Sequence, residues 1–260
     1  MLHQIFDKKK KNRKDENFQL FGNQLTANSS ALADEACYRN GQEVDCTVDD
    51  TDISPRFGSS KFANQIVTEE DRRYADLKAI AQKLWQVKGA EKFDERKYWA
   101  YGCHCFLLGD RPMSEMGIGA PKDQIDTRCR AYKQCNKCVR REHGDDCIGE
   151  RVQYTWRYKA STGSFSSLNK VGSCERDLFE CDHQFVQDLF QIKDEFDESY
   201  HYFWGSPPFD NRKPANCPKK GGIPVEHECC GGGDKAFKWI GLNKFQCCPD
   251  GTVKPNILDC

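Results

Sequence analysis

Apolar residues recur at helical spacing in three stretches of the chain, and these stretches predict three α-helices. The first helix is expected over about 69–88, beginning at a capping-box-like Thr68 and ending at Gly89. The second and third helices are expected over about 123–141 and about 174–199. The inward stripe of the third helix consists of Leu178, Cys181, Phe185 and Leu189.

Two further patterns mark segments between and after the helices. Alternating side-chain types from Gln153 to Tyr158, followed by Ser161-Thr162-Gly163-Ser164, predict a two-stranded β-hairpin within 152–170. Four prolines set among polar residues predict a linker over 206–218. The expected order is therefore helix, loop, helix, hairpin, helix and linker.

The first 65 residues show no sustained periodicity and are rich in Asn, Asp, Ser, Gln and Lys. This composition buries little apolar surface, so 1–65 is expected to be mostly disordered. Cys37 and Cys46 either close a small local loop or tether the segment to the core. The basic run from Lys8 to Lys14 has two interpretations, a nuclear or nucleic-acid-binding signal and a solvated tail, and we favour the tail.

Composition is typical of secreted proteins that depend on disulfides. Of the 260 residues, 38% are hydrophobic, 30% are charged and 16 are cysteines, so cross-links must supplement a small core. Such cysteine usage belongs to oxidising compartments, which predicts an extracellular protein, although no signal peptide is visible in this chain. The sequence has no run of about 18 apolar residues, so no transmembrane segment is predicted. A net charge of −1 argues against a nucleic-acid partner.

The last segment carries two Cys-Cys pairs, Cys229-Cys230 and Cys247-Cys248, each followed by glycine-containing turn residues. Few apolar residues lie between the pairs, so disulfides must hold this segment together. The pairs resemble the di-cysteine repeats of galaxin-like extracellular matrix proteins. This resemblance implies a loop-rich, cysteine-knit module over 217–260, so that the predicted linker and this module together span 206–260.

Three motifs in the middle of the chain belong together. They are Tyr101-Gly102-Cys103-His104-Cys105, the Gly-x-Gly-x-Pro-x-Asp-x-x-Asp run from Gly117 to Asp126, and Cys174 followed by Cys181-Asp182. In this order they resemble the calcium loop, the active-site helix and the opposing helix of the secreted phospholipase A2 family. The resemblance implies a mainly α, disulfide-rich fold over 66–205, with a three-helix core and a small β-hairpin.

The resemblance also implies which residues occupy the family's catalytic positions. Tyr132 replaces the general-base histidine, Lys133 replaces the calcium-binding carboxylate, and Asp182 keeps the carboxylate that orients the base. Phe106 and Leu108 replace glycines of the calcium loop. A phenol of ordinary pKa about 10 stays protonated at neutral pH, and an ammonium repels a cation. Catalytic activity and calcium binding are therefore both predicted to be lost, and Tyr132 is expected to form a hydrogen bond with Asp182.

The family's disulfides imply pairings for part of the cysteine set. The implied pairs are Cys105–Cys129, Cys135–Cys181 and Cys147–Cys174, with Cys217 the first candidate partner of Cys103. Two family disulfides have lost both cysteines. Arg128 and Asp188 replace one of them, which predicts an ion pair, and Ser167 and Phe179 replace the other.

A zinc site is an alternative interpretation for one group of thiols. Cys135-x-x-Cys138 is followed by His143 and Cys147, which are residue types that bind zinc. A disulfide scaffold explains these cysteines together with all the others. We therefore favour disulfides and expect no metal and no other cofactor.

These observations predict a secreted, catalytically inactive phospholipase A2-like protein that acts as an extracellular interaction or matrix scaffold. Its resemblance to otoconin-type phospholipase-like domains and to galaxin-like repeats implies an extracellular matrix protein or a mineral surface as partner. One alternative is a membrane-active, toxin-like homologue that binds a phospholipid surface. Phe203-Trp204 fits an interfacial anchor in that case, although we favour packing on the third helix. A second alternative is a residual calcium-dependent phospholipase A2.

Overall fold

Three α-helices are the longest elements in the computed structural model, which describes residues 34–47, 75–105, 115–219, 221 and 223–260. Helix α1 spans Ala75–Val87, α2 spans Gln124–His143 and α3 spans Cys174–Gln191. Short 3-10 turns at Glu95–Tyr98 and Glu198–Tyr200 follow α1 and α3. All these residues lie in one structural unit, Asp34–Cys260.

The helix ends follow from capping chemistry. The turn after α1 is closed at Gly89, as predicted, where a φ of 66° permits the hydrogen bonds of a Schellman motif. Residues 69–74 of the predicted first helix lie outside the described residues. Helix α2 begins after Asp123, whose side chain accepts a hydrogen bond from the amide of Asp126 at 2.8 Å. Ser173 caps α3 in the same way.

The third helix is shorter than predicted, because it ends at Gln191 instead of near residue 199. The backbone leaves the helical conformation at Ile192, where φ is −117°. The polar run 193–195 that follows offers no apolar residue to extend the buried stripe. Asp197 instead caps the separate 3-10 turn.

The predicted hairpin is part of a four-stranded antiparallel sheet. Strands β3 (Thr155–Lys159) and β4 (Ser164–Ser167) form that hairpin, and β1 (Glu35–Arg39) and β2 (Gln42–Val44) extend it to the order β2-β1-β3-β4. Trp156 lies at its centre, fully buried.

The expectation of disorder for 1–65 is therefore wrong for residues 34–47. Asn40 and Gly41 have positive φ angles of 51° and 71°, as a tight hairpin turn requires. A disulfide between Cys37 and Cys46 closes this hairpin. The sheet partner of β1 lies more than 100 residues away in β3, so local composition carried no sign of it. The rest of 1–65, including the basic run, lies outside the described residues.

The C-terminal segment, which we expected to be loop-rich, contains four short strands. Strands β5 (His227–Gly232) and β6 (Lys235–Gly241) form one two-stranded sheet, and β7 (Phe245–Cys247) and β8 (Val253–Pro255) form another. Adjacent cysteines in a strand point to opposite faces. The two cysteines of one Cys-Cys pair can therefore form disulfides in different directions while they lie in a strand and not in a loop.

The residues predicted to form a linker are tied to the rest of the unit. Cys217 bonds to Cys103, and the side chain of Asn211 is 94% buried. Residues 206–218 are therefore not a free linker. The division of the chain into two parts at residue 206 remains a prediction.

All 16 cysteines are paired, in eight disulfides. Four pairs are those that the family resemblance implies: Cys105–Cys129, Cys135–Cys181, Cys147–Cys174 and Cys103–Cys217. The other four are Cys37–Cys46, Cys138–Cys229, Cys230–Cys247 and Cys248–Cys260. The described part is thus disulfide-rich, with few helices and several β-hairpins.

The buried core lies between the helices and β3. Its side chains come mainly from α1, α2 and α3, with Tyr154 and Trp156 contributed by the hairpin region. Leu178, Cys181, Phe185 and Leu189 are all buried, as the predicted stripe requires. Among the described residues, no helix combines the length and the apolar character needed to cross a bilayer.

Candidate active site between α2 and α3

Helices α2 and α3 pack against each other and carry the residues at the family's catalytic positions. The Cys135–Cys181 disulfide joins the two helices, with a Cα–Cα distance of 5.8 Å. Tyr132 precedes Cys135 by one helical turn, and Asp182 follows Cys181 directly. The disulfide therefore holds these two side chains close to each other.

Tyr132 and Asp182 form the expected hydrogen bond. The Tyr132 hydroxyl donates to Oδ1 of Asp182 at 2.8 Å, and both residues are buried. The Tyr132 ring stacks on Phe185, with ring centroids 4.4 Å apart. Phe185 lies three residues after Asp182 on α3, so one turn of this helix contacts both the ring and the hydroxyl of the tyrosine.

A second tyrosine also donates a hydrogen bond to the carboxylate of Asp182. The Tyr154 hydroxyl donates to Oδ2 of Asp182 at 2.5 Å, and the Tyr154 side chain is buried. The sequence pattern places Tyr154 only within the predicted hairpin region and does not predict this contact. It lies just before β3, and only the packing of the hairpin region on α3 brings it to Asp182.

Burial dominates the electrostatics of this cluster. It raises the pKa of Asp182 to about 7, although hydrogen bonds from Tyr154 and Tyr132 lower it in part. Burial and the neighbouring carboxylate raise the pKa of both Tyr132 and Tyr154 well above 10. Both phenols therefore keep their protons at neutral pH and act as donors, which is the opposite of a general base.

Lys133 is the neighbour of Tyr132 on α2 and is 99% buried. Its ammonium supplies positive charge and no acceptor, whereas calcium takes oxygen ligands. The other calcium-loop positions, Phe106 and Leu108, lie outside the described residues. The chemistry of Lys133 does not suit a calcium ligand.

Asp126 organises the part of the loop that the structure describes. Its fully buried carboxylate accepts hydrogen bonds from the amides of Cys103 at 2.8 Å, His104 at 2.7 Å and Lys122 at 2.9 Å. A β-carbon at residue 102 would overlap this carboxylate, and Gly102 has a φ of 56°. The Tyr-Gly-Cys-x-Cys motif thus has a structural role here that requires no metal.

None of the histidines in the described part of the chain forms a hydrogen bond with Asp182. His104 Nε2 lies 3.0 Å from the carbonyl oxygen of Gly119, and burial lowers the pKa of this histidine. The remaining contacts are His143 with Asp177, His183 with Gln187, His201 with the Arg96 carbonyl, and His227 stacked on Trp239. The described residues therefore offer no substitute for the missing imidazole.

The cysteines of the alternative zinc site are bonded to three different partners. Cys135, Cys138 and Cys147 pair with Cys181, Cys229 and Cys174. His143 Nε2 lies 2.7 Å from Asp177 Oδ2. The described residues contain no group of three or more side chains arranged as metal ligands.

An ion pair occupies the place of one missing disulfide, and a serine and a phenylalanine occupy the other. Arg128 Nη1 lies 3.6 Å from Asp188 Oδ2, so the expected ion pair joins α2 to α3. At the second place, the Ser167 hydroxyl donates to the backbone carbonyl of Thr155 at 3.2 Å, and Phe179 is buried in the core.

We expected Phe203 and Trp204 to pack on the third helix. Their ring contacts are instead with the segment that follows this helix. Trp204 stacks on His201, with centroids 4.6 Å apart, and contacts Phe196. The Phe203 side chain is 63% exposed. Both residues therefore lie at the surface of the segment that follows α3.

Sequence comparison finds relatives among phospholipases A2 and their homologues. The chain is 30% identical over 107 residues to the group IID secretory phospholipase A2 of Mus musculus, which is 41% of this chain and 65% of the relative. It is 31% identical over 105 residues to the basic phospholipase A2 homolog LmutTX of Lachesis muta muta, covering 40% and 74%. The basic phospholipase A2 homolog 2 of Bothrops asper is 29% identical over 108 residues, covering 42% and 67%. No model of a protein family matches the chain.

Proposed function

Because the chain belongs to the secreted phospholipase A2 family, we propose that it is a non-catalytic member that acts outside the cell as an interaction or matrix protein. The phospholipase A2-like part is joined to a C-terminal cysteine-rich module in this proposal. The eight disulfides support an oxidising, extracellular environment. The resemblances to otoconin-type domains and galaxin-like repeats favour a matrix protein or a mineral surface as partner.

The hydrogen bond from Tyr132 to Asp182 carries the proposal. General-base catalysis needs a group that is unprotonated near neutral pH and lies within reach of a water molecule. The Tyr132 hydroxyl is buried, protonated and already committed to Asp182 at 2.8 Å. The geometry of the family's cluster is kept, while its chemistry is changed from accepting a proton to donating a hydrogen bond.

The position of Lys133 supports the loss of calcium binding. A unit positive charge and a divalent cation 4 Å apart repel by roughly 8 kcal/mol at an effective dielectric constant of about 20. The ammonium would have to lose its proton or leave its buried position before calcium could bind. Even then Lys133 would supply no oxygen atom, which is the ligand type that calcium takes.

A direct assay tests this proposal. The purified chain is incubated with mixed phospholipid vesicles in the presence of calcium and, separately, of EDTA, with a calcium-dependent phospholipase A2 as positive control. We expect no release of fatty acid and no heat of calcium binding in titration calorimetry. Hydrolysis that stops on addition of EDTA would show instead a residual calcium-dependent phospholipase A2.

A second candidate function is association with a phospholipid surface, and a group of exposed aromatic side chains favours it. The antiparallel bridge between Tyr101 and His201 joins the two short segments that carry Trp99 and Phe203. Trp99, Phe203 and Trp204 are 42%, 63% and 38% exposed. Amphipathic aromatic rings of this kind are suited to the interfacial region of a bilayer.

Vesicle experiments without calcium distinguish the two functions. Leakage of an entrapped dye from vesicles, abolished in a Trp99→Ala/Phe203→Ala variant, would favour the membrane-active alternative. Binding to collagen or carbonate mineral without leakage would favour the matrix protein.

A further inference from the structure

The disulfides of the C-terminal segment follow one rule. In each Cys-Cys pair, the first cysteine bonds to an earlier element and the second bonds to a later one. The bonds are Cys138–Cys229, Cys230–Cys247 and Cys248–Cys260. Because adjacent residues of a strand point to opposite faces, each hairpin is joined to the preceding element by one face and to the following element by the other. Residues 256–260 are that following element for the second hairpin, and we call them the C-terminal tail.

The C-terminal tail is bound to the second hairpin through its backbone. Gln246 and Lys254 are paired across β7 and β8, so both side chains lie on the face that Cys248 shares. Gln246 Nε2 donates to the carbonyl oxygen of Leu258, and Lys254 Nζ donates to that of Asp259 at 2.7 Å. These contacts depend on the backbone of the tail and on its disulfide. The tail of a second copy of the chain would satisfy them equally well.

Two apolar side chains of the tail face solvent. Ile257 is 91% and Leu258 is 52% exposed, and the two residues are adjacent. They form an apolar patch whose burial is favourable. A two-fold contact places the same patch of two copies against each other, so an apolar patch is complementary to itself. This self-complementarity favours a second copy as the partner.

The disulfide that holds the tail has one buried end and one accessible end. Cys248 is 4% exposed, whereas Cys260 is among the exposed residues. Disulfide exchange begins when a thiolate attacks a sulfur atom that it can reach. The tail can therefore be released by attack at Cys260.

Cys46 is the one other exposed cysteine among the 16, all of which lie within the described residues. It pairs with Cys37, which is fully buried. Its neighbours Asp45 and Thr47 are polar and form hydrogen bonds with each other. The Cys37–Cys46 disulfide is therefore also open to a thiolate but has no apolar patch beside it. It serves as a built-in control for the role of the tail.

We propose that Cys248–Cys260 is an exchange site through which two copies of the chain become covalently joined by swapping their C-terminal tails. Each tail then lies on the second hairpin of the other copy, whose side chains bind its backbone as before. The exchange of an identical element retains these contacts, so this route to a dimer is low in cost. The apolar patches of the two copies pack against each other in the dimer, which the single chain cannot achieve. This inference goes beyond the proposed function and does not depend on it.

The exchange requires a small thiolate, such as that of glutathione, and no oxidant. The thiolate attacks Sγ of Cys260 and forms a mixed disulfide, while the Cys248–Cys260 bond breaks and Cys248 leaves as a thiolate. The departure of the tail uncovers Cys248, whose thiolate then attacks the Cys260 mixed disulfide of the second copy. An interchain Cys248–Cys260 bond forms and the small thiolate is released. The reciprocal bond forms in the same way, so two disulfides break, two form, and the small thiolate is regenerated.

The test uses the full chain in two isotopic forms, unlabelled and uniformly labelled with heavy nitrogen. Equal amounts are mixed in a buffer of reduced and oxidised glutathione, and the exchange is then stopped by alkylation. Covalent dimers are isolated under denaturing, non-reducing conditions, and cleavage before Asp250 separates Cys248 from Cys260 for mass spectrometry. We expect dimers in which an unlabelled Cys248 peptide is bonded to a labelled Cys260 peptide, and no interchain bond at Cys37 or Cys46.

Two variants that keep every disulfide test the apolar patch. Ile257→Ser/Leu258→Ser removes the patch, and Val171→Ser/Ile223→Ser removes two apolar side chains that are exposed elsewhere. Contact between the patches raises the effective concentration of the reacting cysteines, so we expect the yield of dimer to fall by about tenfold or more in the patch variant. The yield should change little in the control variant.

Paired cysteine variants separate the two accessible disulfides. Cys248→Ser/Cys260→Ser should give no covalent dimer, whereas Cys37→Ser/Cys46→Ser should dimerise to the same extent as the wild type. Thermal unfolding checks that both variants are folded. If either one is unfolded, the isotope pattern of the wild type and the yields of the two serine variants that keep every disulfide decide the question.

Three results would overturn the proposal. The wild type could form a glutathione adduct at Cys260 without any dimer. Interchain bonds could join Cys37 or Cys46 as often as they join Cys248. The patch variant and its control could give equal yields, which would mean that the tail does not bring the copies together.

Discussion

The α2–α3 interface and the C-terminal strands are stabilised in different ways. At the interface, the apolar stripe of α3 is buried and aromatic rings stack across the helices, with one direct disulfide, Cys135–Cys181. The C-terminal strands bury few side chains, while Ile257 is 91% exposed. Three disulfides, Cys138–Cys229, Cys230–Cys247 and Cys248–Cys260, secure that segment.

The difference shows how one chain can combine a packed helix pair with a segment that is held mainly by disulfides. Packing and buried hydrogen bonds determine the helix pair, as in the contacts of Tyr132 with Phe185 and Asp182. Cross-links determine the C-terminal strands, where too little apolar surface is available for a core of their own. Removing one disulfide from each region should therefore have different consequences.

The largest expected change in local amide protection is the opening of the C-terminal strands in a Cys230→Ala/Cys247→Ala variant. The lost disulfide spans 17 residues, and chain entropy assigns about 3 kcal/mol to a loop of this size. We expect amides of β7 and β8 to exchange rapidly by hydrogen-exchange mass spectrometry, while amides of α2 and α3 stay protected.

Cys135→Ala/Cys181→Ala is the matched variant in the helix pair. Its loop spans 46 residues, so the entropic loss is about 4 kcal/mol. The buried contacts should nevertheless keep α2 and α3 protected in the remaining native state, with a lower midpoint of global unfolding. Local opening of the helix pair, with the C-terminal strands still protected, would contradict the comparison.

The second prediction concerns the hydroxyl of Tyr132. Tyr132→Phe removes the donor to Oδ1 of Asp182 and leaves the stacking on Phe185 intact. A buried acceptor that loses its partner costs about 1–3 kcal/mol of unfolding free energy, measured by chemical denaturation. Tyr98→Phe is the control, because this buried tyrosine forms no hydroxyl hydrogen bond with the described residues. Equal losses in the two variants would indicate a general effect of removing a buried hydroxyl.

The sequence predicted local features of this site better than long-range ones. The start of α2 at Asp123 follows from a local capping residue, and the positions of Tyr132 and Asp182 follow from motif spacing. The contact of Tyr154 with Asp182 joins residues 28 apart, through packing that no local pattern records. The pairing of β1 with β3 is likewise non-local, and the short N-terminal strands are too polar to show alternation.

The third prediction is a dependence of stability on pH that comes from Asp182. Its pKa is raised to about 7 in the folded chain, above the ordinary value of about 3.9. The folded state therefore binds the proton more tightly, and this contribution to stability is present below about pH 4 and is lost as the pH rises through 7.

Between these limits, Asp182 should lower the unfolding free energy by at most about 1.4 kcal/mol per pH unit as the pH rises. Denaturation of the wild type and of Asp182→Asn at several pH values isolates this term. Asp76 and Glu180, whose pKa values burial raises to about 6 and about 7, titrate in both proteins. A difference between wild type and variant that is constant with pH would show that Asp182 does not titrate in this range.

The smallest expected effect is at the ion pair that occupies the place of a family disulfide. Arg128 and Asp188 lie 3.6 Å apart, with side chains 40% and 20% exposed, so solvent screens much of their attraction. A double-mutant cycle of Arg128→Ala and Asp188→Ala should give a coupling energy of no more than about 1 kcal/mol, decreasing at high salt. This is well below the effect of removing Cys135–Cys181 from the same pair of helices, because an ion pair does not restrict the unfolded chain. A coupling energy as large as that of the disulfide would mean that electrostatics, and not packing with cross-links, holds α2 to α3.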